Sequence, residues 1–281
     1  MKKVLLLFGL FALSTLSGSC AGPSAPVRFD LDSKAVGARY VIEVVLPPGA
    51  AESGLKYPAV YCPDWFVLGD YLKSLPRLMD MGRLTEPFVL VGISQTGTMA
   101  DWATARTRDF TPARPTDEYS KQNTYTPAID LAGGASRFIA FLKEELIPRI
   151  ESTYPVDPAR RAFAGYSLGA LLGTGLLAGE PVLFQYFLLG SPSLWFNEFG
   201  LILEFEKAPA PYPQAVQKVY LSVGEEESWE MLKGFGQLRD ALKGKGIEGP
   251  RLKTEIIPQA GHVGAMPISL YNGLRFLFAR K

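Results

Sequence analysis

The sequence predicts an α/β fold built on an open, mostly parallel β-sheet with helices on both faces. Eight short runs rich in Val, Ile, Tyr and Phe alternate with stretches long enough for crossover helices. The first two runs follow one another too closely for a helix to lie between them, which predicts an antiparallel edge. No internal repeat or low-complexity bridge interrupts residues 27–281, so one domain is expected there.

The predicted elements follow in order along the chain. Strands are expected at residues 27–31, 40–46, 59–62, 88–93, 161–164, 186–189, 219–223 and 254–257. Helices are expected at residues 71–81, 136–151, 168–178, 228–243 and 267–280. The polar segment 95–127 fits neither pattern and is expected to be a long loop. Loops of that length often form lids or binding surfaces, so this segment is expected to set substrate choice.

Residues 1–19 have the pattern of an export leader. Lys2 and Lys3 precede an apolar run that is too short to span a membrane, which takes about 20 residues. The residues before Cys20 are similar to a bacterial lipobox and predict lipidation of Cys20, with simple signal-peptide cleavage as the alternative. Residues 20–26 are then a linker. The protein is expected in the periplasm, on the outer membrane or surface as a lipoprotein, or otherwise secreted.

The composition excludes several classes of function. The chain has 29 Lys and Arg against 28 Asp and Glu, and this net charge of +1 gives no basic face for a nucleic acid. One histidine and two cysteines are too few for a zinc site built on those ligands, so metal catalysis would have to rest on carboxylates alone. Residues 244–249 match G-x-G-x-x-G, but they follow a predicted helix and precede a strand, the reverse of a dinucleotide site.

The sharpest local signal is the string GYSLG at residues 165–169. It lies between a predicted strand and a predicted helix, the setting of a nucleophile elbow, and makes Ser167 the candidate nucleophile. The flanking glycines allow so tight a turn because they carry no side chain. His262, the one histidine of the chain, follows the last predicted strand and is the candidate base.

A carboxylate is needed to orient the imidazole of the base and to stabilise its charged form. The three consecutive acids after the seventh predicted strand are the natural source, and Glu227 is the first choice among them. Three such acids together are also typical of a solvated helix start. The alternatives are therefore Glu225 and Glu226, followed by Asp64 and Asp240.

Backbone N–H groups are expected to stabilise the oxyanion. The candidates are the amides of Leu168, after the nucleophile, and Trp65, in the loop after the third strand. Arg106 and Arg108 are candidates for substrate binding, because a guanidinium binds planar anions with two hydrogen bonds. The alternative for both arginines is pairing with neighbouring aspartates.

Five motifs together resemble the esterase D-type α/β-hydrolases. They are YPAVY at 57–61, RTRDFTP at 106–112, FIAFLKEELIP at 138–148, AGYSLG at 164–169 and SPSLW at 191–195. The resemblance implies an α/β-hydrolase fold and ester hydrolysis without a cofactor. It carries the nucleophile onto Ser167, the base onto His262 and the acid onto Glu227. Tyr166 stands where the family often has His, and Tyr166 and Trp195 are taken as candidates beside the substrate.

The sequence thus predicts a serine carboxylic-ester hydrolase that works through a Ser-His-Glu triad and an acyl-enzyme intermediate. The expected substrate is a small-molecule or glycan-linked ester, with no nucleic-acid partner. Contact with a membrane is expected only through the lipid anchor. One alternative is an acyltransferase, in which an alcohol replaces water. The other is a surface lipoprotein that binds a ligand on the same scaffold without catalysis.

Overall fold

The structure is a computed structural model that describes residues 25–122, 126–207 and 215–280. The strands in the described residues form one eight-stranded sheet, and each predicted strand overlaps an observed strand. They are β1 (Val27–Ser33), β2 (Ala38–Val45), β3 (Tyr57–Cys62), β4 (Val89–Gln95), β5 (Val156–Tyr166), β6 (Tyr186–Gly190), β7 (Lys218–Gly224) and β8 (Leu252–Ile257).

The order across the sheet is β1-β2-β4-β3-β5-β6-β7-β8. β2 lies antiparallel to both β1 and β4. The remaining neighbours, from β4 to β8 across the sheet, pair in parallel. The predicted mostly parallel sheet with an antiparallel edge is therefore confirmed.

Helices connect the strands in the described part of the chain. They are α1 (Trp65–Met81), α2 (Met99–Phe110), α3 (Asp117–Gln122), α4 (Ala135–Ala140), α5 (Ile147–Thr153), α6 (Leu168–Gly179), α7 (Gly200–Lys207), α8 (Trp229–Gly244) and α9 (His262–Phe278). A π-helical segment, Phe141–Leu146, joins α4 to α5 without a break, so the two account for one predicted helix. All five predicted helices are present, whereas α2, α3 and α7 were not predicted.

The prediction that residues 95–127 form a loop is wrong, because much of this segment is α2 and α3. α2 begins at a capping box, in which Thr98 and Asp101 each accept a hydrogen bond from the other's backbone N–H. Its buried face includes Thr107 and Asp109, which are polar. Because polar residues interrupt the apolar period on this face, the periodicity of the sequence does not indicate a helix here.

Two groups of helices cover the two faces of the sheet, as predicted. α1 and α9 pack on one face, against alternate residues of the central strands such as Val60 and Ala162. α4 to α8 pack on the other face, against Tyr61 and Phe163. Cys62 is fully buried on the α1 and α9 side, and burial raises the pKa of its thiol, so it is an inert core residue.

The parallel strands all end at one edge of the sheet, where ligands bind in open α/β sheets. The residues that follow the strands there are Asp64 and Trp65 after β3, Ser167 after β5, Ser191 and Ser193 after β6, Glu227 after β7 and His262 after β8. The topology therefore brings most of the predicted site residues to one edge.

Three further expectations concern membranes, metals and the N-terminus. Among the described residues, no helix has the length and hydropathy needed to cross a membrane. In the same ranges, no three His, Cys, Asp or Glu side chains are grouped to hold a metal ion. The predicted leader and Cys20 lie outside the described residues. Export and lipidation therefore stay predictions.

Candidate active site

Ser167 occupies a sharp turn between β5 and α6. Its φ is 59° and its ψ is −120°, a backbone conformation that favours glycine. The Ser167 N–H donates to the carbonyl of Gly190 at 2.9 Å, and its own carbonyl accepts from the amides of Ala170 and Leu171. A strained, non-glycine residue at a strand-to-helix turn is the geometry of a nucleophile elbow, in line with the GYSLG string.

Gly165 is the position where this turn leaves no room for a side chain. A Cβ there would lie 2.3 Å from the carbonyl oxygen of Gly169. Gly165→Ala is therefore expected to lower the free energy of unfolding by at least about 2 kcal/mol, because two backbone segments must separate. Urea denaturation followed by circular dichroism measures the change.

Gly175→Ala is the matched control on α6, since nothing lies within 4 Å of the added Cβ. It is expected to stabilise the protein by about 0.5–1 kcal/mol through helix propensity. If Gly165→Ala proved as stable as Gly175→Ala, the close packing described for the turn would be incorrect.

His262 and Glu227 are in direct contact at the ends of β8 and β7. Nδ1 of His262 lies 2.6 Å from Oε2 of Glu227. The Glu227 side chain is 1% exposed and the His262 side chain is 42% exposed, so the carboxylate is buried behind a ring that reaches solvent. His262 is the first residue of α9, which begins five residues before the helix predicted from residue 267. The contact at Nδ1 leaves Nε2 of His262 available for proton exchange.

Two further donors hold the other carboxylate oxygen of Glu227. The Ser191 hydroxyl donates to Oε1 at 2.5 Å, and the Gly224 N–H donates to the same atom at 2.8 Å. Burial by itself raises the pKa of Glu227, but the hydrogen bonds outweigh burial and the pKa lies below its ordinary value. Glu227 is therefore ionised at neutral pH and can stabilise a positive charge on His262.

Ser191→Ala is expected to lower the free energy of unfolding at pH 7 by about 1–2 kcal/mol, because a buried carboxylate loses a charge-assisted hydrogen bond. The depressed pKa of Glu227 contributes stability above the unfolded-state pKa, and this contribution is lost as pH falls through the folded-state pKa. The cost of Ser191→Ala should therefore shrink as pH falls from 7 towards 3. Urea titrations at several pH values measure it.

Ser269→Ala is the control for this pH dependence. Ser269 is fully buried like Ser191, but its hydroxyl pairs with the hydroxyl of Ser222 at 2.6 Å. Its cost should not change with pH, because no titrating group is involved. A pH-independent cost for Ser191→Ala as well would mean that Ser191 does not act through the charge of Glu227.

The other acids considered from the sequence have different contacts. Glu225 accepts a hydrogen bond from the Gln259 N–H at 2.9 Å, and Glu226 is exposed. Asp240 pairs with Arg239 on the surface of α8. Of these acids, only Glu227 contacts His262 within the described ranges.

A cavity of about 140 Å³ lies beside Ser167. Residues that line it include Ser167, Leu168, Ser193 and Trp195 on one side and Trp102 and Arg106 of α2 on the other. Two predicted substrate contacts, Arg106 and Trp195, are therefore on the cavity wall. A larger cleft of about 830 Å³ lies at the opposite edge of the sheet, near the amino ends of β6 and β7. It is remote from the Glu227–His262 pair.

Tyr166 is not on the cavity wall, contrary to the expectation that it contacts substrate. It is 4% exposed and ends β5 with its ring on the α1 and α9 side of the sheet. Its hydroxyl lies 2.5 Å from the carbonyl oxygen of His262 and 2.9 Å from Oγ of Ser191. Burial raises the pKa of Tyr166, so the phenol stays protonated and anchors the backbone behind the Glu227–His262 pair.

The structure also does not bring Arg108 to the cavity. Its guanidinium binds Asp109 through Nε at 2.7 Å and lies beside Tyr40 in the core. Side chains two positions apart on a helix point in directions about 200° apart, so Arg106 and Arg108 cannot both face the cavity. The alternative expectation, pairing with a neighbouring aspartate, describes Arg108 correctly.

Ser193 is a neighbour of the nucleophile that the sequence analysis did not single out. Its Oγ lies 3.1 Å from Oγ of Ser167, and its N–H donates to the Ser167 carbonyl at 3.2 Å. Ser167 and His262 share no hydrogen bond in the part of the chain that the structure describes. Catalytic hydrogen bonds often form or shorten only when substrate binds, and we expect the bond between these two residues to form in that state. The sequence signal that included Ser193 was the SPSLW motif, in which Ser193 lies three residues after the end of β6.

The two predicted oxyanion donors are each the first residue of a helix. Leu168 begins α6 and Trp65 begins α1, where N–H groups lack helical partners and the helix dipole is positive. The Trp65 indole donates to Glu43 at 3.1 Å and packs against Gly92 of β4, which fixes the start of α1. The backbone geometry thus suits both amides, whose role stays a prediction.

The chain is similar to known esterases in sequence and in fold. Residues 33–234 match the Esterase family, described as "Putative esterase". The chain is 28% identical to the ferri-bacillibactin esterase BesA of Bacillus subtilis over 238 residues, which is 78% of each protein.

Two solved structures are similar as well. An IroE-like serine hydrolase from Shewanella oneidensis has a TM-score of 0.78 and 26% identity, over 90% of this chain and 80% of that one. The siderophore hydrolase EstA from Aspergillus nidulans has a TM-score of 0.72 and 25% identity, over 96% and 98%. With an α/β-hydrolase fold and a family match across most of its length, the chain belongs to the Esterase family and is a carboxylic-ester hydrolase.

Proposed function

We propose that this esterase works through Ser167, His262 and Glu227 and a covalent acyl-enzyme intermediate. The observation that carries the proposal is the 2.6 Å contact between His262 and Glu227, at the sheet edge where the strained Ser167 also lies. A nucleophile, a base and an orienting acid at one edge are the parts that acyl transfer needs. The same contact favours catalysis over a scaffold that only binds a ligand.

The first half of the reaction acylates Ser167. Its Oγ attacks the ester carbonyl carbon while Nε2 of His262 takes the hydroxyl proton. Glu227 holds Nδ1–H and stabilises the imidazolium that forms. When the tetrahedral intermediate collapses, the bond to the alcohol oxygen breaks and His262 returns the proton to the leaving alcohol. The acyl group is then an ester of Ser167.

The second half releases the acid. Water attacks the acyl carbon, His262 takes a proton from that water, and Ser167 leaves with the proton restored to its Oγ. In both halves the amides of Leu168 and Trp65 donate to the carbonyl oxygen as it becomes negative. Each such donor contributes roughly 10²- to 10³-fold in kcat in acyl-transfer enzymes.

We further propose an ester-linked siderophore as the substrate. The support is that BesA is a ferri-bacillibactin esterase and that EstA is a siderophore hydrolase. The test incubates the purified protein with ferri-bacillibactin and, separately, with p-nitrophenyl butyrate. Liquid chromatography and mass spectrometry identify the products, and Ser167→Ala serves as the blank.

Cleavage of the siderophore ester bonds with a kcat/KM well above that for the butyrate ester is expected. Turnover of p-nitrophenyl butyrate without any siderophore cleavage would exclude this substrate and leave the esterase activity standing. Addition of glycan alcohols to the same reactions tests the acyltransferase alternative. Free acid as the main acyl product supports hydrolysis, whereas acylated glycan would support transfer.

A further inference from the structure

Asp64 is a buried carboxylate between two helix starts. It is 3% exposed and is the N-cap residue of α1, yet its side chain makes no capping hydrogen bond to that helix. A Cβ placed on Gly169, the second residue of α6, would lie 2.8 Å from Oδ2 of Asp64. The carboxylate therefore lies at the first turns of α1 and α6, which begin with Trp65 and Leu168, the donors of the proposed oxyanion hole.

Arg106 reaches this carboxylate from α2 with two hydrogen bonds. Nε lies 3.0 Å from Oδ1 and Nη2 lies 2.9 Å from Oδ2 of Asp64. The two side chains are 14% and 4% exposed, so the pair is well shielded from solvent. The guanidinium also lies 4.8 Å above the ring of Trp102, which fixes its position on the cavity wall. A bidentate pair of this kind sets the orientation of both groups.

The charge of Asp64 makes the partner necessary. Catalysis stabilises negative charge at the oxyanion hole, and an unpaired carboxylate beside the same helix starts would oppose that charge. When a buried ion pair loses one partner, the other charge is left uncompensated. This destabilises the protein more than the loss of both charges does. The pair also joins α2 to the starts of α1 and α6, the elements that carry the two N–H donors.

We propose that Arg106 and Asp64 are positioning residues for the oxyanion hole, and that Arg106 neutralises a carboxylate that would otherwise repel the oxyanion. The inference rests on the proposed function. It differs from the substrate-binding role considered for Arg106, because here the guanidinium acts through Asp64. The ranking of kcat among the single and double variants distinguishes the two roles.

The test compares Arg106→Gln, Asp64→Asn and the double variant Asp64→Asn/Arg106→Gln. Values of kcat and KM are measured on p-nitrophenyl butyrate, and the melting temperature is recorded for each protein. Arg106→Gln is expected to lose about 100-fold in kcat with KM within about threefold, because the loss falls on the transition state. The kcat of the double variant is expected to be at least about tenfold higher than that of Arg106→Gln. Asp64→Asn alone is expected to keep kcat within about tenfold of wild type.

Arg161→Gln is the control for a purely structural effect. Arg161 pairs with Glu151 at similar burial and lies six residues before Ser167 on β5. It is expected to lower the melting temperature while leaving kcat near the wild-type value. Should Arg106→Gln fail to fold, Arg106→Lys takes its place. Lysine loses the two-point contact but keeps the charge that offsets Asp64, so kcat is expected to stay within about tenfold of wild type.

Several results would overturn the inference. A double variant no faster than Arg106→Gln, or a kcat unchanged in Arg106→Gln, would show that the charge of Asp64 does not oppose the oxyanion. A kcat far more than tenfold below wild type in a folded Arg106→Lys variant would also overturn the inference. Failure of the proposed function looks different, because wild-type turnover would then be absent or equal to that of Ser167→Ala.

Discussion

Ser167→Ala is expected to lower kcat by at least about 10⁴-fold, because without its Oγ no acyl-enzyme can form and only binding and the oxyanion hole remain. The measurement is the initial rate of p-nitrophenyl butyrate hydrolysis at saturating substrate, with a melting curve to show that the variant is folded. Ser167→Gly should lose as much activity, yet gain roughly 1 kcal/mol of stability, because its backbone accepts the positive φ without strain.

Ser193→Ala is the matched control for this prediction. Its hydroxyl lies 3.1 Å from that of Ser167 in the same cavity, so the substitution tests which serine is the nucleophile. Ser193→Ala should retain turnover within about 100-fold of wild type, since it removes one hydrogen bond and no bond-forming atom. Near-normal turnover in Ser167→Ala with total loss in Ser193→Ala would reverse the assignment.

Glu227→Gln is expected to lower kcat by about 10³- to 10⁴-fold with little change in KM. The amide cannot stabilise the imidazolium of His262, and it can offer a donor where Nδ1–H needs an acceptor. Glu226→Gln is the matched control, because Glu226 is adjacent to Glu227 and exposed. The kcat of this variant should stay near the wild-type value. Steady-state kinetics on one ester decide the matter, and equal rates for both variants would remove Glu227 from the triad.

The sequence was most informative where local pattern and chain order carry the information. The elbow at residues 165–169 was recognisable because a strand, a glycine-flanked serine and a buried helix follow in direct succession. The order of Ser167, Glu227 and His262 along the chain follows from the parallel sheet, which returns each strand end to the same edge. Neither inference needed knowledge of side-chain contacts.

The hydrogen bonds that support the site were not predictable in the same way. Ser191 and Glu227 are 36 residues apart, and Asp64 and Arg106 are 42 apart, so no local pattern links either pair. α2 was missed because Thr107 and Asp109 lie on its buried face, against the rule that such a face is apolar.

Errors about individual side chains have a common cause, which is direction. Tyr166 is next to Ser167 in sequence, but strand alternation turns its ring to the opposite side of the sheet. Arg108 is two residues from Arg106, but the helix turns it towards the core. Proximity in sequence therefore predicted contact with the cavity for two side chains that the backbone directs away from it.

Fluorophosphonate labelling followed by mass spectrometry tests the central claim, an activated Ser167, most directly. The reagent phosphonylates a serine whose proton a neighbouring base removes. The wild-type protein is expected to carry one adduct, on Ser167, with none in Ser167→Ala and much slower labelling in His262→Ala. An adduct on another serine, or a folded protein that takes no label, would contradict the account.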